Sequence, residues 1–358
     1  MRNLHTYERW TALNEGGWSS IKTQGTPLTP MVIKLVVDIM NKISFEFNSH
    51  LREIGLPELD IMKPIGSGTW WKEDLENQPD RTYGDVDYMV AYPTLKLTSK
   101  KDREDEIATV KLYNKELLMF LEADKFEGVD MEETKKSSSD ASLKLFLEVD
   151  IEGIPGWVQV DMVVTHKEYA DWAVFRMTPI KNVKGFVLGN LYSSFGEVLD
   201  MSIQARGVRA KFDGEVMAPY SKRSNVEEKM ISSNAKTFMY DICHFFWNQS
   251  GTNLSFTDTP IENWKGMDPN NPRFEDLCDG IIAVADTLSQ LGEFGTTIKY
   301  KTKDQLLKAV IDQYEKKMMV TYNSSKFDKA QTPAAEAAIK KIRSFIDTYV
   351  PLAKKLLK

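Results

Sequence analysis

Apolar side chains recur at helical spacing through Ile33, Val36, Val37, Met40, Phe47 and Leu51, directly after Thr29-Pro30. A threonine cap followed by proline in the first turn starts a helix without sacrificing a hydrogen bond, so the pattern predicts a long amphipathic helix. It stops before Gly55-Leu56-Pro57, and ELDIMKPIGS then reads as a strand running into a Gly/Ser turn. A second strand is expected from Asp85 to Tyr92, ended by Pro93. Lys100 to Asp124 is charged with a helical pattern, whereas EGVDMEETKKSSSD has no apolar period and is expected to be a surface loop. SLKLFLEVD and WVQVDMVVT alternate as strands, and the turn-rich IEGIPG between them predicts an antiparallel hairpin.

Beyond about residue 180 nearly the whole chain reads as helix. GFVLGNLYSSFGEVLDMSI is amphipathic, and Ser224 with Glu227 makes a capping-box pattern ahead of VEEKMISSNAKTFMYDICHFFW. Thr302 and Gln305 repeat that pattern before Leu306, Leu307, Val310, Ile311 and Tyr314. Thr332-Pro333 opens a last helix with Ile339, Ile342, Phe345, Ile346 and Tyr349 on one face. The expected fold class is α+β: a small mixed or antiparallel sheet with flanking helices, followed by a helical domain. The expected boundaries are an N-terminal arm over 1–28, an α+β domain over 29–180 and a helical domain over 181–358.

With 358 residues, 42% of them hydrophobic and 27% charged, the chain can bury two cores. No stretch approaches the run of about 20 apolar residues that spans a bilayer, so no membrane partner is expected. MRNLHTYERWTALNEGG lacks the charge-then-apolar order of a signal peptide, which makes a cytoplasmic location the expectation. Cys243 and Cys278 are too few for a disulfide framework and are expected to be buried, reduced thiols. His244 follows Cys243 directly, so the two diverge on a helix and make no zinc site. The net charge of −6 argues against a broad nucleic-acid-coating surface, but leaves room for a local cationic groove.

The chemistry-bearing segment is PIGSGTWWKEDLENQPDRTYGDVDYMV. Alternation along a strand projects Asp85 and Asp87 to one side while Val86 points into the core. Two carboxylates held so close repel each other unless a cation neutralises them, which suggests a hard divalent ion such as Mg²⁺. Asp161, inside the apolar strand WVQVDMVVT, would complete a site for two ions, because an acid there is costly unless liganded. Asp150 is a rival for the third position, but it sits at a strand end near a turn, and Asp161 is preferred. Gly66 would let the backbone approach phosphates, and the Ser67 hydroxyl would bind their oxygens.

Gly66, Ser67, Asp85, Asp87 and Asp161 together resemble the signature of the DNA polymerase β-like nucleotidyltransferase superfamily. Gly68-Thr69-Trp70 and the VDMVV around Asp161 are most similar to the branch holding archaeal-type CCA-adding enzymes, poly(A) polymerases and oligoadenylate synthases. The resemblance covers roughly residues 30 to 165. Seventeen residues separate Ser67 from Asp85, a longer spacer than the family's, and Gly68-Thr69 follows Ser67 without a gap. The resemblance implies a polymerase β-like palm over 29–180 and NMP transfer from an NTP, ATP favoured, with release of pyrophosphate. It also implies two Mg²⁺ ions, or Mn²⁺, held by Asp85, Asp87 and Asp161, and an RNA 3′ end or another nucleotide hydroxyl as acceptor. Lys184, Asn190 and Tyr192 fall where related enzymes contact the incoming nucleotide.

Other residues carry weaker signals, each with a structural alternative. Trp70 and Trp71 would either stack on a base or pack the core, and Arg206, Arg209 and Lys211 would either touch phosphate or form a solvated face. The same holds for His166 as site or loop residue and for Lys340 to Arg343 as groove or wet helix face. The competing functions are NMP transfer to a small molecule or protein, synthesis of a signalling oligonucleotide, a glycosyltransferase using Asp85-Val86-Asp87, and a non-catalytic RNA-binding module.

Overall fold

The computed structural model describes residues 28–358 except 84–85, 98–101, 124–125, 127, 139–142, 152, 178–179, 181–182, 184, 205, 220, 222–225, 269–272, 292–299, 301 and 325–332. The chain divides into two compact units between Ala170 and Asp171, ahead of the 180/181 boundary expected from the sequence.

In the first unit, helix α1 (Pro30–Glu53) starts as its sequence dictates. The Val32 amide donates to Thr29 Oγ1 at 3.4 Å and the Ile33 amide to the Thr29 carbonyl at 3.0 Å, so the cap satisfies first-turn donors and Pro30 adds none that needs a partner. Strand β1 (Ile61–Ile65) runs into one 3₁₀ turn (Gly66–Trp70) and then helix α2 (Trp71–Asn77). Strand β2 (Val86–Tyr92), helices α3 (Asp102–Ala123) and α4 (Met131–Ser137), and strands β3 (Leu143–Ile151) and β4 (Ile154–His166) follow. Helix α4 lies where a loop was expected. Asp130 caps it by accepting from the Glu133 amide at 3.0 Å, a local signal that the absence of apolar period concealed. Thr134 ties it down, its Oγ1 accepting from the Phe146 amide of β3 at 3.2 Å.

The first sheet has the order β1-β2-β4-β3. β3 and β4 form the expected antiparallel hairpin, β1 pairs antiparallel with β2, and β2 runs parallel to β4. The parallel step is allowed because α3, α4 and β3 supply a long crossover. One face carries Val86, Tyr88, Val90 and Tyr92 of β2, Val158, Val160 and Met162 of β4, and Leu143, Leu145, Leu147 and Val149 of β3. These pack against Ile33, Val36, Met40, Ile43, Phe47 and Leu51 of α1 and Tyr113, Leu117, Phe120 and Leu121 of α3. Alternation then sends Asp87, Asp161 and Lys144 to the opposite face.

The second unit is not purely helical, which corrects the sequence expectation. After α5 (Ala170–Met177), which spans the division, helix α6 (Gly185–Val198) stops short of Met201-Ser202-Ile203. Asp200 adopts φ 55°, a left-handed turn that aspartate tolerates, and the chain continues as strand β5 (Met201–Gln204). Strand β6 (Gly207–Asp213) pairs with β5, with β7 (Val216–Ala218) and with β8 (Glu227–Ser232), all antiparallel. β8 is the segment whose Ser224 and Glu227 suggested a capping box; Ser224 lies outside the described residues, and Glu227 begins a strand. Cross-strand contacts outweigh the helical signal there: Arg209 pairs with Glu228 at 3.4 Å, and Lys229 sits 4.8 Å from the Phe212 ring centroid.

Helices α7 (Phe238–Ser250), α8 (Phe274–Ser289), α9 (Lys303–Tyr322) and α10 (Pro333–Leu356) complete the unit. Thr302 caps α9 as expected, accepting from the Gln305 amide at 3.2 Å, and the expected cap of α10 at Thr332 lies outside the described residues. Among the described residues no helix is long and apolar enough to cross a membrane.

Cys243 and Cys278 are buried free thiols on α7 and α8, and burial pushes both thiols above their usual range. His244 is exposed, on a different side of α7 from Cys243. In the folded protein neither cysteine is expected to react with an aromatic disulfide reagent at about pH 8, and both are expected to react once denaturant is added. Rapid labelling without denaturant would contradict their burial.

Candidate active site

The parallel pairing of β2 with β4 places Asp87 directly opposite Asp161, and the flanking registers extend the row to Ile65 of β1 and Lys144 of β3. Ile65, Asp87, Asp161 and Lys144 therefore lie in one line across the sheet, about 4.8 Å from strand to strand. Both acids are partly exposed, while Val86, between the motif's two acids in sequence, is buried in the core beneath.

Asp161 is held from two sides. Gln159, on the same face of β4, donates from Nε2 to Oδ1 at 2.5 Å, and Lys144 Nζ stands 3.6 Å from Oδ2. Neither partner was singled out from the sequence. The signals were present: Gln159-x-Asp161 has strand spacing, and Lys144 is a lone cation between Leu143 and Leu145. Asp150 is not a member of the row. It lies six positions beyond Lys144 on β3, roughly 20 Å at the usual strand rise, where Oδ1 accepts from the Gly153 amide in the hairpin turn at 2.6 Å.

Gly66 follows Ile65 at the end of the row and opens the 3₁₀ turn that also holds Ser67. Its φ of +62° favours glycine, and a Cβ built there would meet Asp87 Oδ2 at 3.2 Å. The backbone thus passes against the Asp87 carboxylate, a close approach that a side chain would crowd. Among the described residues no group of three histidine, cysteine or acidic side chains is gathered for a metal, and Asp85, the third acid expected, lies outside them. The donors that are described fit a hard cation: two carboxylates in register, with a glycine cradle beside one of them.

The long spacer between Ser67 and Asp85 has an internal clasp. Asp74 of α2 is fully buried, and its Oδ2 accepts from Arg81 Nη1 at 2.9 Å and from the Tyr83 hydroxyl at 2.7 Å. The Tyr83 amide donates to the Leu28 carbonyl at 2.8 Å. The spacer therefore goes out as a helix and returns anchored to Leu28, just ahead of α1, which delivers the chain to β2. Burial and the Asp74 carboxylate together push the Tyr83 hydroxyl pKa well up, so the phenol stays a proton donor throughout the neutral range.

Lys184 is outside the described residues. Asn190 and Tyr192, the other expected nucleotide contacts that are described, belong to the second unit. Both are on α6 and serve its interior: the Asn190 amide donates to Met318 Sδ at 3.4 Å, and the Tyr192 side chain is only 3% exposed. The Tyr192 hydroxyl faces Met267 Sδ at 3.9 Å, and Arg176 lies 4.7 Å from its ring centroid. The polar tip of Tyr192 is thus enclosed by core side chains. His166 registers with Tyr92 on the helix-covered face, away from the acids, and its Nδ1 is 3.3 Å from Thr94 Oγ1. Trp71 packs on the core of the first unit. Arg343, from the expected basic stretch of α10, lies over the Tyr322 ring at 5.1 Å. No protein-family profile matches the chain, and no curated protein matches it.

Loss of the Tyr83 hydroxyl leaves a buried carboxylate short of one donor, so Tyr83→Phe is expected to lower the unfolding free energy by about 1–3 kcal/mol. Urea denaturation checks this as a lower midpoint at unchanged slope. An unchanged midpoint would show that the clasp adds nothing.

Proposed function

We propose that this protein is a metal-dependent nucleotidyltransferase of the polymerase β-like kind. It transfers NMP from an NTP, ATP favoured, to the hydroxyl of an RNA 3′ end or of another nucleotide. The observation that carries the proposal is the in-register pair Asp87 and Asp161 on neighbouring parallel strands, beside a left-handed glycine that closes on one of them. A sugar-nucleotide enzyme built on Asp85-Val86-Asp87 alone has no use for an acid on the next strand.

When bound, Mg²⁺ or Mn²⁺ supplies Lewis-acid stabilisation of the triphosphate and favours ionisation of the attacking hydroxyl. The chain's own residues gather and orient. Asp87 and Asp161 present carboxylate oxygens from one sheet face, and Asp85 is proposed to add a third carboxylate. Gln159 fixes the rotation of the Asp161 carboxylate by occupying Oδ1. Gly66 keeps the turn close to Asp87, and Ser67 is proposed to bind phosphate oxygens from that same turn. Little else is required of the protein, since positioning and charge neutralisation dominate phosphoryl-type transfer.

The test is a divalent-ion-dependent transfer assay with four labelled NTPs and a mixed pool of RNA, nucleotide and protein acceptors. Asp87→Asn and Asp161→Asn, which keep shape and remove charge, are each expected to lower transfer by more than about 100-fold, beyond what loss of a supporting partner costs. Their circular dichroism spectra are expected to match the unsubstituted protein. Gly66→Ala is expected to impair transfer far more than stability. Retained transfer in Asp87→Asn, or hydrolysis of a UDP-sugar with no turnover of any NTP, would overturn the proposal.

A further inference from the structure

Lys144 lies within the apolar run of β3, with only 9% of its side chain exposed and Nζ 3.6 Å from Asp161 Oδ2. An ammonium is poorly accommodated in such a place unless a fixed anion compensates for its lost hydration. Strand register supplies that anion, since Lys144 is the direct cross-strand partner of Asp161. Gln159 meanwhile engages the other oxygen of the same carboxylate. The acid furthest from the Gly66 turn thus carries a resident cation, set at the end of the row opposite that turn.

Resting on the metal-dependent assignment above, we infer that Lys144 is a positioning residue and built-in counter-cation of Asp161, and that it makes divalent-ion binding depend on nucleoside triphosphate. With no ion present, the ammonium offsets the repulsion between the two carboxylates and keeps the row assembled. A divalent ion arriving alone would share the Asp161 carboxylate with this ammonium, and like-charge repulsion would weaken its binding by about tenfold even with water-like screening. A triphosphate brings several negative charges that neutralise both cations, so ion and nucleotide bind with positive coupling. Linkage requires each to raise the other's affinity by the same factor.

The experiment follows free Mn²⁺ by electron paramagnetic resonance as the full chain is titrated, with and without an ATP analogue bridged by α,β-methylene. Samples without protein correct for Mn²⁺ bound by the analogue itself. Unsubstituted protein is expected to bind Mn²⁺ weakly alone and more tightly with the analogue. Lys144→Met is expected to bind Mn²⁺ alone about tenfold more tightly and to lose most of the coupling, while Lys144→Arg, which keeps the charge, stays close to the unsubstituted protein. Should the methionine variant fail to fold, Lys144→Gln gives the same readout with a polar head in place. Equal Mn²⁺ affinities for the uncharged variants and the unsubstituted protein would overturn the role of Lys144 and leave the acid pair standing. Absence of Mn²⁺ binding under all conditions, or binding that Asp87→Asn does not change, would overturn the metal-dependent assignment itself.

Discussion

The register between β2 and β4 is the constraint on which the site depends. Val86 opposes Val160, Tyr88 opposes Met162 and Val90 opposes Val164, and the first two pairs are buried beneath α1 and α3. A slip of one residue would turn that apolar face outward and drive Asp87 into the core. Each buried side chain of this size stabilises by about 1.5–3 kcal/mol, so the eleven strand residues in the cluster amount to tens of kcal/mol before chain entropy is counted. Two carboxylates about 5 Å apart repel by roughly 1 kcal/mol in water and a few kcal/mol near a protein surface. Packing therefore wins over the charge repulsion, and the core enforces a juxtaposition that the acids would not choose. The local consequence is electrostatic repulsion held at the sheet surface and relieved in part by Lys144.

Two smaller devices refine that arrangement. Gly66 turns the chain left-handedly at the end of β1 and brings backbone against Asp87 without a side chain between them. The clasp of Asp74, Arg81 and Tyr83 then folds the following spacer back to where β2 begins. A buried carboxylate is an expensive way to close a loop, and the two donors on Oδ2 offset part of that cost while Oδ1 has no hydrogen-bond partner among the described residues. The seventeen-residue spacer is thereby anchored just ahead of β2.

Much of the first unit was legible because its signals are periodic and local. The cap at Thr29, the stripe of α1, the turn at Gly66 and the β3–β4 hairpin all follow from patterns within a few residues. The strand-interior position of Asp161 and the near-turn position of Asp150 were also legible, since apolar neighbours on both sides mark a strand interior. Helix α4 was missed because seven residues are too short to show a period, although Asp130 and Glu133 carried its cap. Strands β5 and β8 were missed for another reason: their pairing with β6 is decided by partners distant in sequence, and charged β8 imitates a helix start. Lys144 and Gln159 became meaningful only when register showed which oxygens they face. The burial of Tyr192 in the core of the second unit was not legible from its position after the acidic strand.

The most direct test of the account is a crystal structure of the protein with Mn²⁺ and a non-transferable NTP, with manganese located by its anomalous scattering. An ion bridging the carboxylates of Asp87 and Asp161 at about 2–2.5 Å, with triphosphate oxygens completing its shell, is the result predicted. Carboxylates of 87 and 161 pointing apart, or manganese bound only elsewhere, would contradict it.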